Sequence, residues 1–207
     1  MAGGINRAFF FNFVRLNLFG GRLKQSQVDG LGFILDGWED DHARKDDRWL
    51  AYALATTHHE TDMKMKPIGE YGGNRYFFDM YDIEGSRPQV ARRLGNTRPG
   101  DGVAFHGRGY VQLTGRANYK KMEDRYDIDL TSDEIAADFA LDGALAAKIM
   151  FYGMEKGVFT GKSFADYFNQ TTEDWVNARR IINGLDKANM IASYGQGYYA
   201  AISYTMA

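Results

Sequence analysis

Apolar residues recur along this chain at the 3.6-residue spacing of α-helices more often than at the two-residue spacing of strands. The clearest case runs from Asp46 to Glu60, where Trp49, Ala53 and Thr56 share one helical face with Glu60. The same spacing predicts further helices over residues 5–19, 25–35, 116–126, 142–156, 175–182 and 187–205. The pattern therefore predicts a mainly α protein.

Residues 63–102 differ from the rest of the chain. They contain all three prolines and many glycines and aromatic residues, without sustained helical periodicity. We expect an irregular lobe with short strands, and ordered regions of this kind usually carry function. No repeat or linker divides the chain, so residues 1–207 are expected to form a single catalytic domain without a separate wall-binding module.

The charge balance excludes one class of partner. Lys and Arg number 25 against 27 Asp and Glu, so no basic field exists to attract nucleic acid. The chain has no cysteine, which excludes disulfides, thiolate nucleophiles and cysteine zinc sites and is consistent with cytosolic synthesis.

The apolar run Phe9–Phe11 could be mistaken for part of a signal peptide. It is interrupted by Asn12 and Arg15 and has no cleavage site after it, so we interpret it as a buried amphipathic first helix. No stretch approaches the roughly 20 apolar residues of a spanning helix, and no stable membrane insertion is expected. The predicted product is made in a bacterial cytoplasm without a signal peptide and acts on the periplasmic wall.

Glu60 is the strongest candidate for acid–base chemistry. An apolar helix face and the partial negative charge at a helix C-terminus would both favour its protonated form, which a general acid at neutral pH requires. The alternative is an ordinary polar residue at a fraying helix end. A second carboxylate is expected from the following loop, where Glu70 lies between glycines and next to Tyr71. Rival candidates for that role are Asp79, Asp82 and Glu84.

A third block covers residues 105–114. If it is extended, Gln112 and Thr114 point to the same side and could orient water or sugar hydroxyls. Thr114 could instead cap the helix predicted from Arg116. Histidines near Glu60 raise the question of zinc, but the second histidine position after His59-Glu60 is occupied by Met63, so no metal site is predicted.

Three blocks occur in order: His59-Glu60-Thr61, then Gly107-Arg108-Gly109 followed by Gln112-Leu113-Thr114, then Ile181-Ile182-Asn183-Gly184. This set resembles the glycoside hydrolase family 19 chitinases, and more closely the phage and prophage endolysins of that family. The resemblance runs from about Leu23 to Tyr199. One departure is that plant members place their base glutamate further downstream than Glu70.

The resemblance implies a lysozyme-like α+β fold, in which a large helical lobe and a small irregular or β lobe flank a substrate cleft. It implies an inverting mechanism without a cofactor, in which Glu60 is the general acid and Thr114 helps to hold the attacking water. The two carboxyls of inverting enzymes lie roughly 6.5–9.5 Å apart, and Glu70 is the provisional base. The residues expected to bind substrate are His59, Tyr71, Arg108, Gln112, Asn118 and Asn183.

The predicted function is hydrolysis of β-1,4 bonds in peptidoglycan glycan strands by a monomeric endolysin of the N-acetylmuramidase type, which lyses the host cell. A chitinase acting on N-acetylglucosamine polymers is the first alternative. A lytic transglycosylase, which needs only one carboxylic acid, is the second. A non-catalytic peptidoglycan-binding module of a phage tail is the alternative from a different class.

Overall fold

A computed structural model describes residues 4–42 and 45–205 of the chain. In chain order, its α-helices are α1 (Arg7–Asn17), α2 (Gln25–Asp41), α3 (Asp47–Glu60), α4 (Asn74–Tyr81), α5 (Pro88–Arg93), α6 (Asp101–Ala104), α7 (Arg116–Tyr126), α8 (Glu134–Ala137), α9 (Gly143–Lys156) and α10 (Ala188–Ala201). Short 3-10 helices cover Asp138–Leu141, Phe164–Asp166 and Asn177–Ile181. Two strands, β1 (Ile68–Gly69) and β2 (Arg108–Gly109), pair antiparallel.

The chain divides into two compact units. The first contains the residues up to Lys66 together with those from Met150 onward, and the second is Pro67–Ile149. The chain passes from the second unit back to the first within α9.

Helix α3 is the centre of the first unit. Its residues from Leu50 to His58 are all buried, so the helix has no solvent-facing side over that length. A helix that is buried all round needs small residues wherever neighbours approach closely, and Ala51, Ala53 and Ala55 supply them. Helix α10 packs along it. The prediction of a single apolar face on this helix was therefore too narrow.

The start of α3 is fixed by polar contacts. The side chain of Asp46, the N-cap residue, accepts a hydrogen bond from the backbone N–H of Arg48 at 3.0 Å. The indole of Trp49 donates to the carbonyl of Phe168 at 3.1 Å and its ring stacks on Phe164. These contacts anchor the helix at one end, so its other end, at Glu60, is held in a defined place.

The second unit relies on buried polar side chains more than on regular pairing. The carboxylate of Asp82, which is fully buried, accepts hydrogen bonds from the backbone N–H groups of Gly100 and Gly102 at 2.9 and 3.0 Å. Asp101, also buried, pairs with Arg116 at 2.6 Å. Buried carboxylates are stable only when donors of this kind surround them. They hold a loop-rich segment in a single conformation.

Most long helices were predicted correctly. The first helix is shorter than predicted and the second longer, since α2 continues to Asp41. The segment predicted as helix from Trp175 to Ile182 is a 3-10 helix over Asn177–Ile181. The expectation of an irregular stretch over residues 63–102 was wrong in part, because α4, α5 and α6 lie in it.

None of the helices in the described ranges is both long and apolar enough to cross a lipid bilayer.

Two glycines of α2 should respond in opposite ways to alanine substitution. A Cβ at Gly30 would lie 1.5 Å from the carbonyl oxygen of Met65, whereas a Cβ at Gly32 meets nothing within 4 Å. We expect Gly30→Ala to lower the free energy of unfolding by at least about 2 kcal/mol through overpacking. Gly32→Ala should raise it by about 0.5–1 kcal/mol through helix propensity. Chemical denaturation measures both, and equal effects would contradict the close packing of α2 on this carbonyl.

His58 should make the fold sensitive to acid. Its ring is buried, its Nδ1 lies 2.9 Å from the hydroxyl of Tyr198, and burial lowers its pKa to about 4. Between pH 6.5 and 4 the unfolded chain binds a proton at this residue and the folded chain does not, so stability falls as the pH is lowered. The loss should reach about 3 kcal/mol. Denaturation of wild type and of His58→Gln across this range measures the loss. If the free energy of unfolding of both proteins changes equally with pH, His58 does not cause the acid sensitivity.

Candidate active site

Glu60 is the last residue of α3, where the helix leaves the core of the first unit. Its side chain is 18% exposed, and its Oε1 accepts a hydrogen bond from Nη1 of Arg179 at 2.6 Å. The ion pair joins two elements that are far apart in sequence, α3 and the 3-10 helix Asn177–Ile181. One carboxyl oxygen is thus fixed by the guanidinium.

Arg179 is buried, with a side chain that is only 3% exposed. Its Nε also donates to the carbonyl of Asp186 at 3.2 Å. A buried guanidinium needs a counter-charge and acceptors for its N–H groups, and Glu60 is the acidic partner that it has. The expectation that the Glu60 carboxyl would face apolar neighbours was therefore wrong, because its immediate neighbour is a cation. Sequence reasoning missed Arg179.

The other predicted residues of the first unit lie in different environments. His59 is half-buried beside Glu60 at the end of α3. Asn183 is exposed, and its side-chain oxygen accepts from the backbone N–H of Gly184 at 2.8 Å. Asn183 thus follows the 3-10 helix that carries Arg179.

A tight hairpin carries the predicted residues of the second unit. The backbone N–H and C=O groups of Arg108 bond to those of Leu113 at 3.1 and 2.8 Å, which closes a turn over the residues between them. Within it, Gln112 has a left-handed φ of 57°. The block is therefore not extended, and the expectation that Gln112 and Thr114 point to one side of a strand does not apply.

Glu70 is held against this hairpin. Its Oε1 accepts from the hydroxyl of Tyr81 at 2.8 Å and its Oε2 from the backbone N–H of Gly107 at 3.2 Å. Burial, followed by the neighbouring Glu70, raises the pKa of Tyr81, so the phenol keeps the proton that it donates. A carboxylate accepts about four hydrogen bonds, so two donors orient the group and leave acceptor capacity free.

Gly107 allows this arrangement. A Cβ at this position would lie 2.9 Å from Oε1 of Gln112 and 3.1 Å from Oε2 of Glu70. The two side-chain oxygens therefore face the same point of the backbone. The amide nitrogen of Gln112 donates to the carbonyl of Ile68 at 3.1 Å, which fixes the side chain. The structure thus brings Glu70 and Gln112 together.

The rivals of Glu70 have other environments. Asp82 is fully buried and accepts backbone N–H groups, so it is structural. Asp79 pairs with the exposed Arg75 at 2.9 Å, and Glu84 is exposed. Of these carboxylates, Glu70 is the one that adjoins the Gly107–Thr114 hairpin through hydrogen bonds.

Arg108 does not have the free surface expected of a sugar-binding residue. Its side chain is 1% exposed, and its Nε pairs with Asp138 at 2.7 Å. Its Nη1 donates to the carbonyl of Ala104 at 2.8 Å and lies 3.2 Å from the hydroxyl of Tyr119. The guanidinium stabilises the unit from inside, which corrects the assignment of Arg108 to substrate binding.

Thr114 does not cap the helix that follows it. Helix α7 begins after Gly115, and its first backbone N–H, from Arg116, is bonded to the side-chain oxygen of the buried Asn96 at 2.8 Å. The hydroxyl of Thr114 instead donates to the carbonyl of Gln112 at 2.8 Å. The capping interpretation was wrong, and the role of Thr114 in holding water stays a prediction.

The remaining predicted residues lie around the hairpin. Asn118 is half-buried and donates from its amide to the carbonyl of Thr114 at 2.9 Å. Tyr71, next to Glu70, is 68% exposed. His106 stacks on Phe77 with ring centroids 4.1 Å apart, and burial is the main cause that lowers its pKa.

Within residues 4–42 and 45–205, no group of three or more His, Asp or Glu side chains is placed to hold a metal ion.

No protein-family model matches the sequence, and neither does any curated protein. Solved structures do resemble it. A bacterial family 19 chitinase matches 95% of this chain over 93% of its own, with 21% identity and a TM-score of 0.60. Chitinase C from Streptomyces griseus matches 95% of this chain over 75% of its own, with 19% identity and a TM-score of 0.57. The chain has the fold of the family 19 chitinases.

The predicted fold class is thereby confirmed: the family 19 chitinase fold is mainly helical here, with a small two-stranded sheet. On that fold, Glu60 ends a helix and Glu70 follows β1. Because sequence identity is low, the match concerns the path of the backbone and not the chemistry of individual side chains.

A double-mutant cycle tests the ion pair at the end of α3. We expect Glu60→Gln and Arg179→Gln each to destabilise the fold, since each leaves a poorly hydrated charge without its partner. The coupling free energy between them should be about 1–3 kcal/mol, measured by denaturation of the two single variants and the double variant.

The matched control is the exposed pair formed by Arg75 and Asp79, which are one helical turn apart. Their coupling should stay at or below about 0.5 kcal/mol. A coupling at Glu60 and Arg179 no larger than that of the control would show that the pair does not hold the end of α3.

Proposed function

We propose that this chain is a glycoside hydrolase that cleaves β-1,4 glycosidic bonds of bacterial peptidoglycan, with Glu60 as general acid. The observation that carries the proposal is the placement of Glu60: a largely buried carboxyl, 18% exposed, at the end of a buried helix, oriented by a buried arginine. The shared fold with two family 19 chitinases supports a glycosidase on this scaffold.

The contact with Arg179 orients the proposed acid. Oε1 of Glu60 is engaged by Arg179, which leaves Oε2 to carry the proton toward the leaving oxygen of the glycosidic bond. Arg179 acts through Glu60, so it is a positioning residue. A fixed donor lowers the entropy cost of proton transfer, and acid catalysis of this kind contributes about 10²–10⁴-fold to the rate.

Glu70 is the proposed base. A base that activates water needs an oriented carboxylate with a free lone pair, and the donors Tyr81 and Gly107 leave such capacity on Glu70. Gln112, whose oxygen faces the same backbone point, would bind the water or a sugar hydroxyl. Thr114 is retained in the proposal as a further contact to this water. The expected chemistry is inversion at the anomeric carbon.

Peptidoglycan is the preferred substrate because the three sequence blocks resemble the endolysin branch of the family more than the plant branch. In that role the enzyme would act as an N-acetylmuramidase on the bacterial wall and cause host lysis. A chitinase is the second candidate, and the observation in its favour is that the two solved structures described above are both chitinases.

Substitution of the two carboxylates tests the mechanism. Glu60→Gln should lower the rate of reducing-end release from purified peptidoglycan by at least about 10²-fold, through loss of the proton donor. Glu70→Gln should lower it at least about tenfold, whereas Asp79→Asn should stay near the wild-type rate. The assay is run at a temperature where each variant is folded, since Glu60→Gln also removes an ion pair.

The products decide between the alternatives. Mass spectrometry of the digest and NMR of the first product should show a free reducing end in the α configuration, as inversion of a β bond requires. An anhydro sugar would indicate a lytic transglycosylase instead. Hydrolysis of chitin oligomers without hydrolysis of peptidoglycan would establish the chitinase. Full activity of folded Glu60→Gln would exclude Glu60 as the acid.

A further inference from the structure

A cationic cavity lies in the first unit, beside the end of α3. It has a volume of about 500 Å³, and its lining includes Lys24, Lys64 and Lys66. Asp62 is the acidic residue of the lining, so the side chains carry a net charge of +2. Lys64 lies 3.8 Å from Asp62, while no ion pair joins Lys24 or Lys66 to an acidic residue in the described ranges. We call these lining residues the lysine pocket.

The wall of the lysine pocket is a rigid turn. The hydroxyl of Thr61 donates to the carbonyl of Thr57 at 2.7 Å and accepts from the backbone N–H of Met65 at 3.0 Å. From α2, the amide of Gln27 donates to the carbonyl of Met63 at 2.8 Å. Both sides of the turn are thus fixed by hydrogen bonds within the protein, so the backbone beside the lysines does not need a ligand to hold its conformation.

The same turn contains unusual backbone conformations. Asp62, Met63 and Met65 all have left-handed φ values, between 51° and 60°. Methionine rarely adopts this region, and such conformations persist only where the surroundings enforce them. Clusters of strained residues are frequent at binding sites. Asp62, Met63 and Lys64, which belong to this turn, line one cavity.

The lysine pocket is close to the proposed acid along the chain. Lys64 follows Glu60 by four residues, which places their Cα atoms at most about 14 Å apart. A glycan whose scissile bond lies at Glu60 could therefore present a substituent from a neighbouring sugar to the lysines. Chitin has only hydroxyl and acetamido groups to offer. Peptidoglycan carries a peptide on its muramic acid, and that peptide bears free carboxylates.

We propose that the lysine pocket binds the carboxylates of the peptide attached to muramic acid. This inference rests on the proposed function, and it names the feature by which this enzyme would prefer peptidoglycan to chitin. Compact ammonium groups on flexible stems suit a substituent whose position varies. Selectivity arises because an uncharged polymer supplies no counter-charge to the net positive charge of the lysine pocket.

The test is a binding measurement that does not require turnover. The probe is a soluble disaccharide–tetrapeptide prepared from peptidoglycan, and calorimetry measures its Kd for the wild-type chain. We expect Lys24→Ala/Lys64→Ala/Lys66→Ala to raise the Kd at least tenfold. The matched control is Lys162→Ala, an exposed lysine of the same unit outside the pocket, which should bind as wild type does.

Two further measurements test whether binding depends on the charges of the lysines and of the peptide carboxylates. The triple Lys→Arg variant should recover most of the affinity, since it keeps the positive charges. Amidation of the peptide carboxylates should weaken binding to wild type by a similar factor and should make the alanine substitutions nearly neutral. Melting curves check that the triple alanine variant is folded.

Equal Kd values for the wild-type chain and the folded triple alanine variant would overturn the inference. So would unchanged sensitivity to the lysines after amidation, or displacement of the probe by millimolar inorganic phosphate, which would assign the lysine pocket to phosphates. If the chain binds the probe through its carboxylates but hydrolyses no peptidoglycan, the proposed function is wrong and the assignment of the lysine pocket to carboxylates is kept. If the chain hydrolyses peptidoglycan and the lysine substitutions change neither binding nor hydrolysis, the proposed function is kept and the assignment of the lysine pocket is wrong.

Discussion

The burial of α3 on every side is the constraint on which the first unit depends. A helix without a solvent-facing side cannot place a carboxyl in its middle, so its acidic residues are confined to its ends. Asp46 and Asp47 stand at the start, where they favour the helix, and Glu60 stands at the end, where the dipole does not favour it. Glu60 is accepted there because Arg179 compensates for the unfavourable position.

The sequence predicted those parts of the fold that depend on local periodicity. Long helices with apolar spacing, such as α3 and α9, were found nearly to the residue. Helices α4, α5 and α6 were missed because they are short, and the backbone of α6 is also bonded by a distant carboxylate. Asp82 receives N–H groups from residues 18 and 20 positions away, and Asn96 caps α7 from 20 positions away. Helix propensity is a property of neighbouring residues, so it cannot predict partners this far along the chain.

For the candidate site too, local sequence predicts some features and misses those that depend on distant residues. Residue type and spacing make Glu60 and Glu70 candidates, and their roles stay predictions: Glu60 ends a helix and Glu70 lies next to a glycine. The surroundings of each residue were not predictable. Arg108 was expected at the surface and is buried with Asp138, while Arg179 was not considered and pairs with Glu60. One signal was present: Arg179 comes two residues before Ile181, the first residue of the third block that carried the family resemblance.

The two carboxylates are held in place by different kinds of contact, and this bears on their proposed roles. Glu60 is fixed by one charged side chain 119 residues away, so its orientation depends on the packing of the whole first unit. Glu70 is fixed by neutral donors, a phenol and a backbone N–H, within a hairpin whose backbone is closed by its own hydrogen bonds. A general acid alternates between charged and neutral forms, and the guanidinium fixes one oxygen while the other exchanges the proton. For the proposed base, the neutral donors orient the carboxylate and leave lone pairs that can accept a proton from water.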